Sequence, residues 1–401
     1  MRLARWAAQP SSSAAALLKK TRRSAFSTIQ TERQSAMAFQ SDAGNTKARP
    51  PAGADSLVHP ELAEACQALK DRDPAILRSS PDHDVTATEL SALLPELRRA
   101  WAADTSHVPS VARAVPFAYR LIPGSPGNPD VGIYIVGVGP GGSRPAILHM
   151  HGGGFIVGSA AEYVPLLQAQ ALALDCVIVS VEYRLAPETR YPGSLEDNYA
   201  ALRWLYTSCE ELGVDRLRIA VQGESAGGGH AAMLAIAARD RGEIPILFQC
   251  LTYPMLDDRT GSSKPAPAHI GTICWTEKYN RMGWSALLGM EAGSAAVPKG
   301  AVPARLEDFS GLPPTFLWVG SIDLFVSENL EYAHRLAEAG VPTELHLLPG
   351  VYHGFDGAAP ASAVTLSYKT ALIQSMARAF GTAPHSSYLE FITPTNRVAS
   401  Q

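Results

Sequence analysis

The stretch Leu217-Arg218-Ile219-Ala220-Val221-Gln222 runs directly into Gly223-Glu224-Ser225-Ala226-Gly227, and a helical pattern over about 226–241 follows. The first six residues read as a strand. The next five fit G-x-S-x-G, in which a serine sits on a tight strand-to-helix turn. Glycines two before and two after the serine let strand and helix pass close together. Ser225 is then held strained, with its hydroxyl exposed above a sheet. A serine in a Gly-rich turn is the plainer reading, but it does not account for the strand before and the helix after.

Other short apolar stretches read as strands at 115–122, 131–136, 145–150, 176–182, 246–252, 315–320 and 344–348. From the fourth strand onward, helical patterns separate them, at about 195–211, 226–241, 327–339 and 363–380. Ser194 is the cap expected for the first of these, and Ser327 for the third. Alternating strands and helices predict an α/β fold, an eight-stranded, mostly parallel sheet with helices on both faces. The first three strands lack helices between them and are expected to include an antiparallel hairpin. Leu62, Cys66 and Leu69, then Leu90, Leu93, Leu94 and Leu97, repeat at helical spacing and predict an N-terminal helical cap.

The expected organisation is a leader at 1–57, a helical cap segment at 58–110, and a catalytic domain at 111–381, with a tail at 382–401. An insertion at about 255–312 carries Trp275, Tyr279, Met282 and Trp284 and reads as a lid or pocket wall. The first 31 residues are basic, Ser-rich and free of Asp and Glu, the composition of a mitochondrial transit peptide or of an untargeted tail. Cytoplasm or mitochondrion is the expected compartment, rather than secretion.

Composition narrows the class. Of 401 residues, 46% are apolar and 18% charged, which suits a folded domain and not a disordered chain. Lys+Arg 34 against Asp+Glu 38 gives a net charge of -4, without the basic excess that attracts nucleic acid. No uninterrupted apolar run reaches the roughly 18 residues of a membrane span. Cys66, Cys176, Cys209, Cys250 and Cys274 are dispersed and odd in number, so they read as free thiols.

Two glycine motifs call for opposite readings. Gly137-Val138-Gly139-Pro140-Gly141-Gly142 matches G-x-G-x-x-G, but Pro140 and a strand follow where a nucleotide site needs a helix. A hairpin turn is expected there. His151-Gly152-Gly153-Gly154-Phe155 follows the strand 145–150, two strands before the serine turn. The backbone N–H groups of Gly152 and Gly153, with that of Ala226, would make an oxyanion hole. His149 and His151 have the spacing of metal ligands on a strand, but no cluster of carboxylates or cysteines accompanies them. No metal or organic cofactor is expected.

A nucleophilic serine needs a base, and the base needs an orienting acid, which follow the serine in the order acid, then histidine. His230 falls in the helix after the serine, His334 on a helix surface, His346 within a strand and His385 in the tail. His353 follows the last strand directly, where its ring can reach over the sheet. Asp323 follows the strand 315–320 and is the acid expected to orient it; Asp257 and Asp258, after the strand 246–252, are its rivals.

These motifs, together with Glu182-Tyr183-Arg184-Leu185-Ala186-Pro187-Glu188 and Tyr191-Pro192, resemble the hormone-sensitive-lipase-like branch of the α/β-hydrolases over roughly residues 110–380. The resemblance implies a serine esterase for short to medium acyl chains, with Ser225, Asp323 and His353 as its triad and a small-molecule ester as its substrate. An amidase or formamidase on the same fold is the nearest alternative. A receptor that uses the pocket only to bind is a more distant one, since receptors of the family have lost a triad member. The family commonly carries Asp-Pro-Leu-x-Asp-Glu at the acid. Here Asp323-Leu324-Phe325-Val326-Ser327-Glu328 keeps the first acid and the last but has Ser327 between them. Arg184 and Glu188 are expected to hold the scaffold by ion pairing.

Overall fold

The computed structural model describes residues 54–72, 87–100, 110–139 and 142–393. The leader up to residue 53, and with it any import signal, lies outside the described residues. Eight strands form one sheet: β1 (Phe117–Ile122), β2 (Val131–Val136), β3 (Arg144–Met150), β4 (Val177–Glu182), β5 (Val214–Glu224), β6 (Phe248–Thr252), β7 (Thr315–Gly320) and β8 (Thr343–Leu348). Their order is β1-β2-β4-β3-β5-β6-β7-β8. β1 and β2 pair antiparallel, as do β2 and β4; from β4 across to β8 every pair is parallel.

The expected antiparallel hairpin is β1–β2. The glycine-rich stretch after β2 is not a hairpin, because β4 lies between β2 and β3, and the chain crosses over it. Pro140 and Gly141 of that connection lie outside the described residues.

The main helices are α1 (Ala63–Arg72), α2 (Ala87–Ala100), α3 (Ala160–Leu174), α4 (Gly193–Thr207), α5 (Ala226–Arg241), α6 (Glu277–Leu288), α7 (Val326–Glu338) and α8 (Ala363–Phe380). Successive residues of a strand point to opposite faces of the sheet, so each central strand feeds two cores. Ala146, Leu148 and Met150 of β3 join Leu202 of α4 and Leu234 of α5, while Ile147 joins Leu167 of α3 and Met376 of α8. β3, β4, β6 and β7 are buried along nearly their whole length, as strands covered on both faces must be.

Helix α3 has no counterpart in the sequence reading. Nine of its fifteen residues are buried, Gln168 and Gln170 among them, and Pro165 lies inside it. Burial on nearly every side erases the polar stripe on which a helical period depends. Two expected caps also differ. Ser194 lies within α4, behind Pro192 at the cap, and Ser327 lies within α7, behind Phe325. After β7 the turn is instead closed by Asp323, whose Oδ1 accepts the Phe325 N–H at 2.8 Å.

The ion pairs expected of Arg184 and Glu188 are present. Arg184 Nε and Nη2 donate to Asp197 at 2.9 and 2.7 Å, joining the segment after β4 to α4. Asp197 is only 1% exposed. Glu188 accepts two bonds of 2.9 Å from Arg98 of α2, and Arg98 Nε also donates to the Ile156 carbonyl. Helix α2 is thereby fixed to the loop that follows the three glycines. Arg184→Met should destabilise the fold by about 2 kcal/mol, because it strands a buried carboxylate; the partial exposure of the arginine holds the loss below that of a fully buried pair. Urea unfolding at neutral pH measures this, and an unchanged midpoint would show the pair to be idle.

Candidate active site

Strand β5 ends at Glu224, and α5 begins at Ala226. Ser225 between them has φ 56° and ψ −120°, a backbone conformation that side chains with a Cβ rarely adopt. Close packing enforces it. A Cβ added to Gly227 would lie 2.0 Å from the Met150 carbonyl oxygen, and one on Gly223 would lie 2.2 Å from that of Gly227. The Ser225 N–H donates to Thr252, and its carbonyl accepts from Met255 and Gly229, all at 2.9–3.0 Å. The serine is therefore pinned from β6 and from its own helix, and its hydroxyl stands over the ends of the parallel strands.

His353 follows β8 at the same end of the sheet. Ser225 Oγ lies 2.8 Å from His353 Nε2, and His353 Nδ1 lies 2.8 Å from Asp323 Oδ2. The serine hydroxyl donates to the ring, and the ring donates to the carboxylate. All three residues are buried, with exposures of 7%, 5% and 1%. Tyr253 and Phe325 meet the imidazole edge-on at 4.6 and 5.0 Å, which limits its rotation.

The rival acids are engaged elsewhere. Asp257 pairs with Arg259 and Lys264, and Asp258 pairs with Arg305. Among the other histidines, His346 pairs with Glu344, His334 with Glu338, and His385 packs on Phe391. Glu328, beyond the serine that departs from the family pattern, is buried and accepts from the Leu256 and Asp257 amides and from Thr260 Oγ1. Burial pushes its carboxyl well above the usual range. Its work is to tie α7 to the chain after β6.

The glycine loop lies against the serine. A Cβ on Gly152 would be 3.6 Å from the Ser225 Cβ, and Gly153, at φ +125°, accepts from the amides of Ile156 and Val157 in a tight turn. Ala226 is the first residue of α5, so its N–H has no partner within the helix. His151 holds the loop from below. Its Nδ1 donates to the Gly152 carbonyl at 2.8 Å, its ring stacks on Tyr183 at 4.2 Å, and the Tyr183 hydroxyl donates to the His151 carbonyl. His149 bridges Ser180 and Glu224 instead of facing a common point with His151.

Tyr163, Tyr253, Cys274 and Trp275 complete the cleft around Gly152, Ser225 and His353. The sequence reading placed Trp275 in a pocket wall but did not mark the two tyrosines. Tyr163 lies on the unrecognised α3. Tyr253 directly follows a strand, with φ 35°, and nothing in its neighbours signals that turn.

Beneath the loop, His230 of α5 is fully buried between Phe155 and Tyr183. Burial holds both His151 and His230 down to about 3. The unfolded chain takes up these protons near pH ~6.5. Between those limits it binds more protons than the fold does, so stability falls as pH drops below about 6.5, by about 1.4 kcal/mol per pH unit for each group. His230→Leu removes one of the two and should flatten the slope of stability against pH between 6 and 4.5. An identical slope in the variant would locate the acid sensitivity elsewhere.

Comparison with known proteins agrees with this fold. Residues 147–357 match the family described as alpha/beta hydrolase fold. Esterase LipI of Mycobacterium tuberculosis is 34% identical over 299 residues, covering 69% of this chain and 92% of that protein. Carboxylesterase NlhH of the same species is 36% identical over 214 residues, 53% of this chain and 66% of that one. Among solved structures, a bacterial heroin esterase superposes with a TM-score of 0.69 at 35% identity, covering 81% of this chain and 98% of its own. Fold, serine turn and relatives converge, and the chain belongs to the alpha/beta-hydrolase family, in its hormone-sensitive-lipase-like branch of esterases.

Proposed function

We propose that this carboxylic ester hydrolase acts on esters of short to medium acyl chains through Ser225, His353 and Asp323. The observation that carries the reading is the pair of 2.8 Å contacts from Ser225 Oγ through the imidazole to Asp323 Oδ2. His353 Nε2 takes the serine proton as Oγ attacks the ester carbonyl carbon. The tetrahedral oxyanion is bound by the amides of Gly152, Gly153 and Ala226. His353 then protonates the departing alcohol oxygen, leaving an acyl group on Ser225. Water, deprotonated by the same ring, attacks that acyl carbon, and the serine recovers its proton as the carboxylic acid leaves. Asp323 stays ionised, fixes the tautomer and offsets the imidazolium charge.

The expected acyl range rests on the family and on the crowded walls of the cleft. A Cβ on Gly154 would meet the Trp275 ring at 2.0 Å, so the indole packs directly on the glycine loop. A p-nitrophenyl ester series from acetate to palmitate tests the range, and greater activity on palmitate than on butyrate would refute it. Ser225→Ala should abolish turnover of every member without lowering the melting temperature. Asp323→Asn should lower kcat by about 10⁴-fold, as loss of the orienting acid does in other triads. A near-silent Asp323→Asn beside a damaging Asp257→Asn or Asp258→Asn would reassign the acid.

A further inference from the structure

A second cavity lies beside the catalytic cleft, between α3 and α8, and the short helix Tyr388–Ile392 closes it. Tyr163 and Glu224 line both spaces, so the cavity and the cleft around Ser225 adjoin at these side chains. Most of its wall is apolar: Leu166, Leu167, Leu372, Ile373, Phe391 and Ile392. Besides Glu224, two charged groups of opposite sign, Lys369 of α8 and Asp356, interrupt that wall.

These two charges attract each other through space without touching. Among the described residues, no carboxylate lies within 4.0 Å of the Lys369 ammonium, and it makes no hydrogen bond. Asp356 Oδ1 accepts from the Tyr253 hydroxyl at 2.6 Å, and its other oxygen keeps capacity to spare. Glu224 is already engaged by His149 and Gln222. An ammonium and a carboxylate facing an apolar space favour a guest that hydrogen-bonds to both. A bare alkyl chain would desolvate both charges and pair neither. A carboxylate-tipped chain would bring a third anion against one ammonium. A hydroxyl accepts from Lys369 and donates to Asp356, and it adds no charge.

We propose that this cavity receives the far end of the acyl chain, and that Lys369 with Asp356 selects acyl groups carrying a terminal hydroxyl. The apolar wall takes the methylene chain, and the polar pair reads its tip. Lys369 is a specificity-determining residue here and takes no part in bond breaking. The proposal rests on the esterase reading of Ser225 and narrows its substrate to esters of ω-hydroxy acids.

The test compares p-nitrophenyl acetate, hexanoate, ω-hydroxyhexanoate and the adipate half-ester on wild type, Lys369→Met and Leu372→Phe. In wild type, kcat/KM for ω-hydroxyhexanoate should exceed that for hexanoate by about tenfold, the scale of one hydrogen bond to a charged group. Lys369→Met should bring that ratio to about one while leaving acetate unchanged. Leu372→Phe, which fills the cavity, should lower both six-carbon substrates relative to acetate. A ratio that Lys369→Met leaves intact, or a wild-type preference for the adipate half-ester, would overturn the proposal. Acetate serves as the control on the esterase reading, since it needs no second cavity. Calorimetric binding of hexanediol needs no turnover, and should weaken about tenfold in Lys369→Met; equal binding to both proteins would overturn the site even if acetate were not hydrolysed.

Discussion

The contact between the start of α5 and the end of β3 governs this molecule. Gly227 lies so close to the Met150 and His151 carbonyls that a single added carbon would meet oxygen at 2.0 and 2.5 Å. That approach leaves the chain one way to turn from β5 into α5, and Ser225 must sit at positive φ to complete it. The strain is stable because both sides of the turn are over-determined. Backbone hydrogen bonds from Ser225 reach Thr252, Met255 and Gly229, and parallel pairing ties β5 to β3 and β6. Packing over two cores thus holds one side chain where local preference alone would not put it.

The same contact organises the polar groups. Because α5 meets the end of β3, the first amide of the helix and the glycines after His151 come to one side of the serine. On the other side, β7 and β8 deliver Asp323 and His353 at the same end of the sheet. Asp323 uses its two oxygens differently: one locks the turn before α7, and the other faces the imidazole. A carboxylate fixed from both ends keeps its histidine in one orientation, which is what proton transfer from the serine hydroxyl requires. Buried neutral imidazoles below the glycine loop pack as aromatic rings, and that packing is bought with sensitivity to acid.

The fold and the residues around Ser225 were legible for definite reasons. All eight strands stood out as short apolar runs, the central ones because they are buried on both faces, as did the motif on which the turn depends. Ser225, Asp323 and His353 were found by chain order and by their places after strands, and the structure brings the three together. Helix α3 was not legible, because a helix buried on nearly all sides has no polar face to set its period. With it went Tyr163 and the boundary between the two cavities. The β2–β3 crossover was also hidden, since strand adjacency depends on pairing partners far along the chain. Ser194 and Ser327 misled as caps because a serine near a helix start is only a local signal. Pro192 and Asp323 do that work through backbone geometry and a turn.

Labelling with a fluorophosphonate tests most directly whether the strained serine is the activated nucleophile. The intact protein should take up one phosphonyl group, and peptide mass spectrometry should locate it on Ser225. His353→Ala should slow that labelling by several orders of magnitude while the fold is retained. Labelling of a different residue, or labelling of Ser225 at the same rate without His353, would contradict a serine activated by that imidazole.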